Sequence, residues 1–286
     1  MGKFSYIFGI SWFLLSLCAG QCCDVLMKLL SQHLHPLQVT FLRYAVGSII
    51  LLPFVLKNWR QSGTTARPWL YALRGILLLL AMGLWCLALR DVPLSTASLL
   101  GFSVPLFLLP MAKVFLRERV STTRWLVTFV GFFGVFVAVG SPEKVFCGSC
   151  GYLLISAALF ASLDVLNRKF AQSEKMLANL FYTSAATALF AIFPACQLWQ
   201  PVAHSHWLPI ICLSLCAHFL LFCLIRAFRL VEASAAAPYR YVEFFLSIAS
   251  GYIVFAEHPL PTVLVGACIT IPATVLLARL EMRAQC

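Results

Sequence analysis

Charged side chains are scarce in this sequence, at 11% of residues against about 25% in an ordinary soluble domain. Acidic residues are the scarcest, with only 10 Asp and Glu in a chain of 286 residues. Hydrophobic residues make up 62% of the chain, more than a soluble fold buries, and no gap between the apolar runs is long enough for a soluble domain. This composition excludes a soluble enzyme or a soluble binding domain.

Several chemical signatures are also missing. The sequence has no P-loop, which excludes an ATP-driven pump. His218, inside an apolar run, has no acidic neighbour, so a membrane-embedded enzyme is a weaker hypothesis than a transporter. The outer histidine pairs at 33/35 and 204/206 lack carboxylate partners, and we predict neither a metal site nor a cofactor.

Most of the cysteines lie inside the apolar runs, where a free thiol behaves as a small hydrophobic group. Cys147 and Cys150 are the exception, because they fall in the loop near the middle of the chain. The sequence leaves open whether these two cysteines form a disulfide.

Apolar runs of about 20 residues recur along the chain, and each is long enough to cross a bilayer core of about 30 Å. A lipid environment permits only helices and closed barrels, and the alternating pattern of barrel strands is absent. The sequence therefore predicts an all-α integral membrane protein with ten transmembrane helices, at residues 5–24, 36–56, 68–89, 95–115, 122–140, 148–167, 177–198, 207–228, 233–255 and 260–279.

The basic residues predict the orientation of these spans. Every Lys and Arg outside them, except Lys28, Arg90 and Lys144, falls on the same side as both termini. The positive-inside rule makes that side cytoplasmic. The net charge of +11 is distributed over short loops, so we predict no nucleic-acid partner.

The chain also repeats itself. The stretch from Trp12 to Lys28 matches the stretch from Tyr152 to Arg168, with Asp24 aligned on Asp164, 140 positions later. Arg90, Ser95, Phe102 and Glu118 align on residues 139 positions later, Arg229, Ser234, Tyr241 and Glu257. Five spans per repeat place the second copy upside down, so we predict two inverted five-helix repeats, residues 1–140 and 141–286. This architecture is common in secondary transporters, which bind their substrate near the membrane midplane.

A duplicated five-span unit with these landmarks resembles the drug/metabolite transporter superfamily, EamA type. Shorter stretches, among them LHPLQVTFLRY at Leu34, LDVLNRKF at Leu163 and APYRYVEFFLS at Ala237, are similar to the S-adenosylmethionine uptake transporters of obligate intracellular bacteria. The resemblance implies a bacterial inner-membrane protein that imports S-adenosylmethionine, in exchange for S-adenosylhomocysteine. An amino-acid or other small-metabolite permease or exporter is the alternative, and the sequence leaves energy coupling and oligomeric state open.

The stretch APYRYVEFF places two charges inside a run that otherwise suits lipid. Arg240 and Glu243 share a helical face, and a charge at mid-bilayer is costly enough to indicate a cavity. Either they neutralise each other, or Arg240 binds the substrate carboxylate and Glu243 its ammonium or sulfonium. Tyr239 and Tyr241 are candidates for contact with the adenine, Tyr239 the better one because it shares the face of Glu243. Pro238 removes a backbone hydrogen bond and is expected to open the helix.

Six further charged residues lie within the predicted spans or at their ends. Arg43 is either a second carboxylate anchor or gate, or it extends toward the outer surface, whereas Arg74 is expected to extend toward the cytoplasmic surface. Asp24 with Lys28, and Asp164 with Arg168, are expected to form pairs within their own helices, with gating as the sharper alternative.

Phe102 aligns on Tyr241 in the other repeat and is a candidate aromatic wall of the substrate site. Ordinary packing of this side chain is the more economical explanation. The membrane lipids and the small-molecule substrate are the partners that the sequence predicts.

Overall fold

A computed structural model describes residues 3–57, 67–92, 97, 100, 101, 103–139, 148–171 and 173–256, with single positions between 265 and 276. Phe102 and Cys147 lie outside these residues. All the regular secondary structure in the described part is helical: α1 (Lys3–Ser31), α2 (Pro36–Lys57), α3 (Pro68–Asp91), α4 (Val104–Phe115), α5 (Thr122–Val139), α6 (Gly148–Phe170), α7 (Met176–Gln197), α8 (His204–Leu230), α9 (Ala233–Ala236), the 3₁₀ segment Ala237–Tyr241 and α10 (Val242–Phe255).

Five of the described helices are long and apolar enough to cross a membrane: Phe4–Ser31, Pro36–Lys57, Pro68–Leu89, Met176–Gln197 and His204–Leu230. Each coincides with a predicted span, although α1 continues about two turns beyond residue 24. Most of the span predicted at 260–279 falls outside the described residues. The all-helical class and the multi-pass membrane character are confirmed, whereas the count of ten spans stays a prediction.

The outer surface of the bundle is apolar, as lipid contact requires. Large hydrophobic side chains point away from the protein, with Ile253 78%, Phe193 71% and Leu208 70% exposed. A soluble monomer rarely carries apolar patches of the size that such residues form together. Hydrophobic side chains therefore fill the interior of the bundle and also cover its lipid-facing surface.

Pro238 interrupts the helix that was predicted as one span at 233–255. The chain forms a short α-helix, α9, then the 3₁₀ segment, and resumes as α10 at Val242. Proline lacks the N–H group that would continue the α-helical ladder, which accounts for the change at this point. The chain beside Arg240 thus changes from α-helical to 3₁₀ hydrogen bonding, which tightens the helix instead of opening it as expected.

Helices from the two halves of the chain pack against one another in related combinations. Helix α1 packs on α8 and α3 on α6, while α2 packs on α7. If α1–α5 and α6–α10 exchange places, the first two pairs convert into each other and the third maps onto itself. The contact pattern is therefore the one that two copies of one unit would produce.

Small residues allow a close approach of α3 and α7. A Cβ atom added to Gly75 would lie 2.8 Å from Ala186 Cβ and 2.9 Å from the carbonyl carbon of Ala186. Membrane helices associate through such close packing, because lipid supplies no hydrophobic force to hold them together.

The loop after α4 makes hydrogen bonds to the start of α9, which belongs to the other half of the chain. Arg117 adopts a left-handed backbone with φ of 55°, and Glu118 follows it. The Glu118 carboxylate accepts hydrogen bonds from the backbone N–H groups of Ala233, at 3.2 Å, and Ser234, at 3.0 Å. This carboxylate thus accepts from the first N–H groups of α9, a helix in the other half of the chain.

Candidate functional site

A cavity of about 180 Å³ lies between the halves of the chain. That volume is many times the 10–15 Å³, roughly, that one ordered water requires. Helices α1, α2 and α3 and the start of α4 form its wall on one side, and α6, α7, α8 and the 3₁₀ segment with α10 complete it. Such a position, between helices of a membrane bundle, is where a transported solute binds.

Six ionisable side chains carry the formal charge of the cavity wall, and their charges cancel. The wall holds three arginines and three acids: Arg43, Arg74, Arg240, Asp24, Asp164 and Glu243. The structure therefore brings together five of the charged residues that the sequence singled out as site candidates, and adds Arg74. A wall with both signs of charge suits a solute that itself carries both signs.

Arg240 and Asp164 form an ion pair between Arg240 Nη2 and Asp164 Oδ2. One of the two interpretations of the sequence paired Arg240 with Glu243, and Arg168 was expected to pair with Asp164; the described residues form neither pair. The prediction was based on neighbours in one straight helix, but the 3₁₀ segment turns the Arg240 side chain toward α6. Arg168 bonds instead to Glu118, with Nε and Oε1 3.3 Å apart, and to the carbonyl of Phe228.

Glu243 lines the cavity without an ion pair or hydrogen bond to any described residue. A Cβ atom added to Gly20 of α1 would lie 3.7 Å from Glu243 Oε1, which shows that the carboxylate approaches the backbone of α1. Glycine at position 20 leaves room beside this carboxylate. An unneutralised acid in the cavity wall is chemically suited to a cationic group of a solute.

Asp24 does not depend on Lys28 for its hydrogen bonding. Asp24 Oδ1 accepts a hydrogen bond of 3.0 Å from the indole Nε1 of Trp85 on α3. The Lys28 ammonium lies 4.7 Å from the ring centroid of Phe255. The expected pair within α1 is thus replaced, at Asp24, by a contact that joins α1 to α3.

Arg43 points into the bundle rather than toward the outer surface. Its side chain is buried, and Nη1 donates to the Met27 sulfur at 3.0 Å and to the Met82 sulfur at 3.6 Å. The guanidinium also lies 5.3 Å from the ring centroid of Tyr44. Of the two interpretations of Arg43, the structure favours a role in the cavity.

Arg74 was expected to extend to the cytoplasmic surface, and that expectation is wrong. The residue is 1% exposed and belongs to the cavity wall. Its position six residues after Pro68 places it about 9 Å along α3, deep enough to turn inward. Nη2 donates to Asn167 Oδ1, while Nε and Nη1 have no partner among the described residues. Sequence position alone gave no signal for this role, because the same spacing also permits extension to the surface.

Tyr239 and Tyr241 do not line the cavity. The Tyr239 hydroxyl lies 3.2 Å from the hydroxyl of Tyr6, within a hydrophobic cluster of α1, α4 and α8. The Tyr241 hydroxyl donates to the carbonyl of Thr128, and its ring lies where a Cβ atom on Gly131 would stand. Both rings fasten the broken helix to its neighbours, so the predicted contact with adenine finds no geometric support.

Two aromatic rings that the sequence did not single out do line the cavity. Trp85 of α3 and Phe160 of α6 meet edge to face, with ring centroids 6.2 Å apart and planes at 79°. The hydrogen bond to Asp24 fixes the Trp85 indole. Both residues lie in ordinary apolar runs, so the sequence does not distinguish them from aromatic residues that face lipid.

His218 is a further residue of the wall that the sequence analysis set aside. Its Nδ1 donates to the carbonyl of Ser214 at 2.7 Å, and its Nε2 lies 2.8 Å from Ser184 Oγ. The ring packs against α2, where a Cβ atom on Gly47 would stand 1.9 Å from His218 Cε1. Glycine at position 47 is the signal that could have indicated a bulky neighbour here.

Residues of the wall occur in pairs separated by the spacing of the sequence repeat. Asp24 and Asp164 are 140 positions apart, as are Arg43 and Thr183, while Val104 and Glu243 are 139 apart. Positions related by the repeat thus face the same cavity from opposite halves. Their side chains differ at most positions, so the two walls are chemically unlike.

Comparison with known proteins adds an independent line of evidence. The model of the EamA-like transporter family matches this chain twice, over residues 7–140 and 149–279. The S-adenosylmethionine uptake transporter of Rickettsia felis is 39% identical over 281 residues, which cover 98% of this chain and 96% of that protein. The transporter of the same description from Rickettsia prowazekii is also 39% identical, with the same coverage.

More distant similarities also extend over most of the chain. A riboflavin transporter of Vibrio cholerae is 25% identical over 86% of this chain and 83% of its own length. One crystal structure superposes with a TM-score of 0.74 over 99% of both chains at 16% sequence identity, a likeness that concerns the fold alone.

Proposed function

The chain belongs to the EamA-like transporter family, a family of transporters and not of enzymes, and we propose that it imports S-adenosylmethionine in exchange for S-adenosylhomocysteine. The observation that carries this proposal is the cavity between the halves, whose wall presents three basic and three acidic side chains. S-adenosylmethionine carries a carboxylate, an ammonium and a sulfonium, so its charges match both signs of the wall. The 39% identical Rickettsia proteins are S-adenosylmethionine uptake transporters, which supports the same substrate.

We propose that the chain forms ten transmembrane helices as two inverted five-helix repeats, residues 1–140 and 141–286. Three observations support this architecture: the two family matches, the exchangeable packing of α1 on α8 with α3 on α6, and the repeat-related pairs in the cavity wall. Rocking of one repeat against the other would then open the cavity to each side in turn.

We place this transporter in the bacterial inner membrane with both termini in the cytoplasm, on the distribution of basic residues between the loops. A reporter enzyme that is active only after export, fused behind Cys286, should stay silent. The same reporter in the loop near Lys144 should be active. Activity behind Cys286 would require an odd number of spans.

The side chains of the cavity wall have different roles in this transport function. Glu243 faces the sulfonium or the ammonium, because it lacks a cationic partner among the described residues. Arg43 supplies positive charge on the α2 side, as an anchor or a gate. Trp85 and Phe160 offer the adenine an aromatic wall, which Tyr239 and Tyr241 do not. Arg240 and Asp164 neutralise each other and hold the broken helix to α6.

The test is uptake by purified protein in liposomes. Liposomes loaded with S-adenosylhomocysteine should accumulate labelled S-adenosylmethionine, and empty liposomes should accumulate much less. Labelled methionine, which shares the amino-acid group but lacks the adenosyl group, should not accumulate. Accumulation of methionine without S-adenosylmethionine would favour the alternative, an amino-acid permease of the same family.

A further inference from the structure

Arg74 is a buried cation that no carboxylate neutralises within the described residues. Among the described residues its only hydrogen bond runs from Nη2 to the neutral amide oxygen of Asn167, and its buried Nε and Nη1 have no acceptor there. Burial of an unpaired guanidinium is strongly unfavourable unless another group supplies the missing anion. Since Arg74 belongs to the cavity wall, a solute in the cavity is in a position to supply it.

The other buried or partly buried arginines of the described structure are engaged differently. Arg240 is paired with Asp164, Arg124 with Glu232 at 2.7 Å and Arg168 with Glu118 at 3.3 Å. Arg43 also lacks a carboxylate partner in the described structure, but two thioether sulfurs and the face of an aromatic ring surround its guanidinium. Among the described residues, the Asn167 amide oxygen is the only hydrogen-bond acceptor of the Arg74 guanidinium.

The surroundings of Arg74 keep its charge available. Glu174, just before the start of α7, accepts a hydrogen bond of 2.6 Å from the Tyr71 hydroxyl; it attracts the Arg74 charge from a distance but forms no ion pair with it. Asn167, at the position that faces the guanidinium, fixes one nitrogen without cancelling the charge. An aspartate of nearly the same shape at position 167 would cancel it.

We propose that Arg74, held in place by Asn167, binds the carboxylate of the transported solute. The inference rests on the proposed function, and it names the chemical group that the site recognises: an α-amino carboxylate. A carboxylate accepts charge-assisted hydrogen bonds from a guanidinium, which are shorter and stronger than neutral ones. The cavity therefore selects solutes that retain this group.

The experiment compares S-adenosylmethionine with its decarboxylated analogue, which keeps the adenosyl group, the sulfonium and the amine. The half-saturating concentration of each solute is measured from uptake into liposomes. Uptake rates are divided by the amount of folded protein. Wild-type protein should prefer S-adenosylmethionine by about 10- to 100-fold, the range expected for one hydrogen bond to a charged group. Arg74→Gln should abolish this preference by weakening S-adenosylmethionine alone, with the analogue little changed, and Arg74→Lys should retain part of it.

Asn167→Asp separates recognition from structure. The new carboxylate should pair with Arg74 and compete with the solute, lowering the preference for S-adenosylmethionine about tenfold or more while leaving thermal stability equal or higher. If Arg74 were only structural, the same variant would stabilise the protein and leave the preference intact. Asn179→Asp is the matched control, because Asn179 is equally buried in α7 but outside the cavity wall, and it should leave the preference unchanged.

The outcomes distinguish the two proposals. Uptake of S-adenosylmethionine with the full preference in both Arg74→Gln and Asn167→Asp would overturn the role of Arg74 and leave the proposed function standing. If wild-type protein takes up methionine and not S-adenosylmethionine, the proposed function fails. Methionine and its decarboxylated amine then replace the first pair of solutes, and loss of the preference in Arg74→Gln would still support carboxylate binding by Arg74.

Discussion

Glu243 is the carboxylate of the cavity wall with the fewest partners, and its replacement tests what it faces. Glu243→Gln keeps the shape and removes the charge. If Glu243 faces the sulfonium, affinity for S-adenosylmethionine should fall about 10-fold or more, because hydrogen bonds and contacts of charged groups contribute about 1.5–3 kcal/mol. The neutral thioether of S-adenosylhomocysteine should be affected much less.

Competition against labelled S-adenosylmethionine measures both affinities in the Glu243→Gln variant. An equal loss for the two ligands would place the ammonium, which both carry, opposite Glu243. Unchanged inhibition by both ligands would show that Glu243 does not contact the solute.

Arg240 and Asp164 should behave as one neutral unit. Arg240→Gln or Asp164→Asn alone leaves a buried charge without its partner, at a cost of about 3–5 kcal/mol. Each single variant should therefore lower the amount of folded protein in the membrane, and the double variant should restore most of it. The measurement is the monodisperse fraction after detergent extraction. A double variant as poorly folded as the single ones would contradict a pairwise role.

Sequence reasoning found most of the charged wall and failed on its pairing, for a physical reason. Glu243, Asp24 and Asp164 stand out because an acid in an apolar span is costly wherever it is. Their partners come from other helices: Asp164 is 76 positions from Arg240, and Asp24 is 61 from Trp85. Local spacing carries no information on such contacts.

At the scale of elements, the predicted helices were close to the observed ones because bilayer thickness fixes their length. The break at Pro238 was also predictable, since the missing N–H group acts locally. The inward turn of Arg74 was not, because it depends on the place of Asn167 on α6. The sequence therefore predicts where helices form, but it does not predict which side chains meet between helices.

Two left-handed residues show how the repeat extends to the backbone. Arg117, after α4, and Ala256, after α10, have φ of 55° and 53°, and they are 139 positions apart. Neither is glycine, so each adopts a conformation that an L-residue adopts at some cost. The same turn at repeat-related helix ends supports the proposed two-copy architecture.

The close contact of α3 and α7 gives a prediction with a matched control. Gly75→Ala adds a methyl group where Ala186 and its backbone leave no room, and such overpacking costs about 1–3 kcal/mol. Gly151→Ala adds the same methyl group in α6, where nothing lies within 4 Å. Both changes replace a helical glycine by alanine, so the difference between them reports mainly on packing. Thermal unfolding in detergent should occur at a lower temperature for Gly75→Ala than for Gly151→Ala; equal values would contradict the close contact.

At the scale of the whole molecule, the proposed exchange should be electrogenic. S-adenosylmethionine carries one net positive charge at neutral pH, and S-adenosylhomocysteine, without the sulfonium, carries none. The charges of the cavity wall cancel, so a one-for-one exchange moves one positive charge inward. A membrane potential of 100 mV, negative inside, then favours uptake by about 2.3 kcal/mol, or about 50-fold in the accumulation ratio.

Liposomes loaded with S-adenosylhomocysteine test this expectation when a potassium gradient and valinomycin set the potential. A potential that is negative inside should raise the accumulation of labelled S-adenosylmethionine, and one that is positive inside should lower it. A pH gradient at zero potential should have no effect. Accumulation that follows an inward proton gradient and ignores the potential would instead indicate proton coupling, for which Glu243, as a cavity carboxylate without a cationic partner in the described structure, is the first residue to replace.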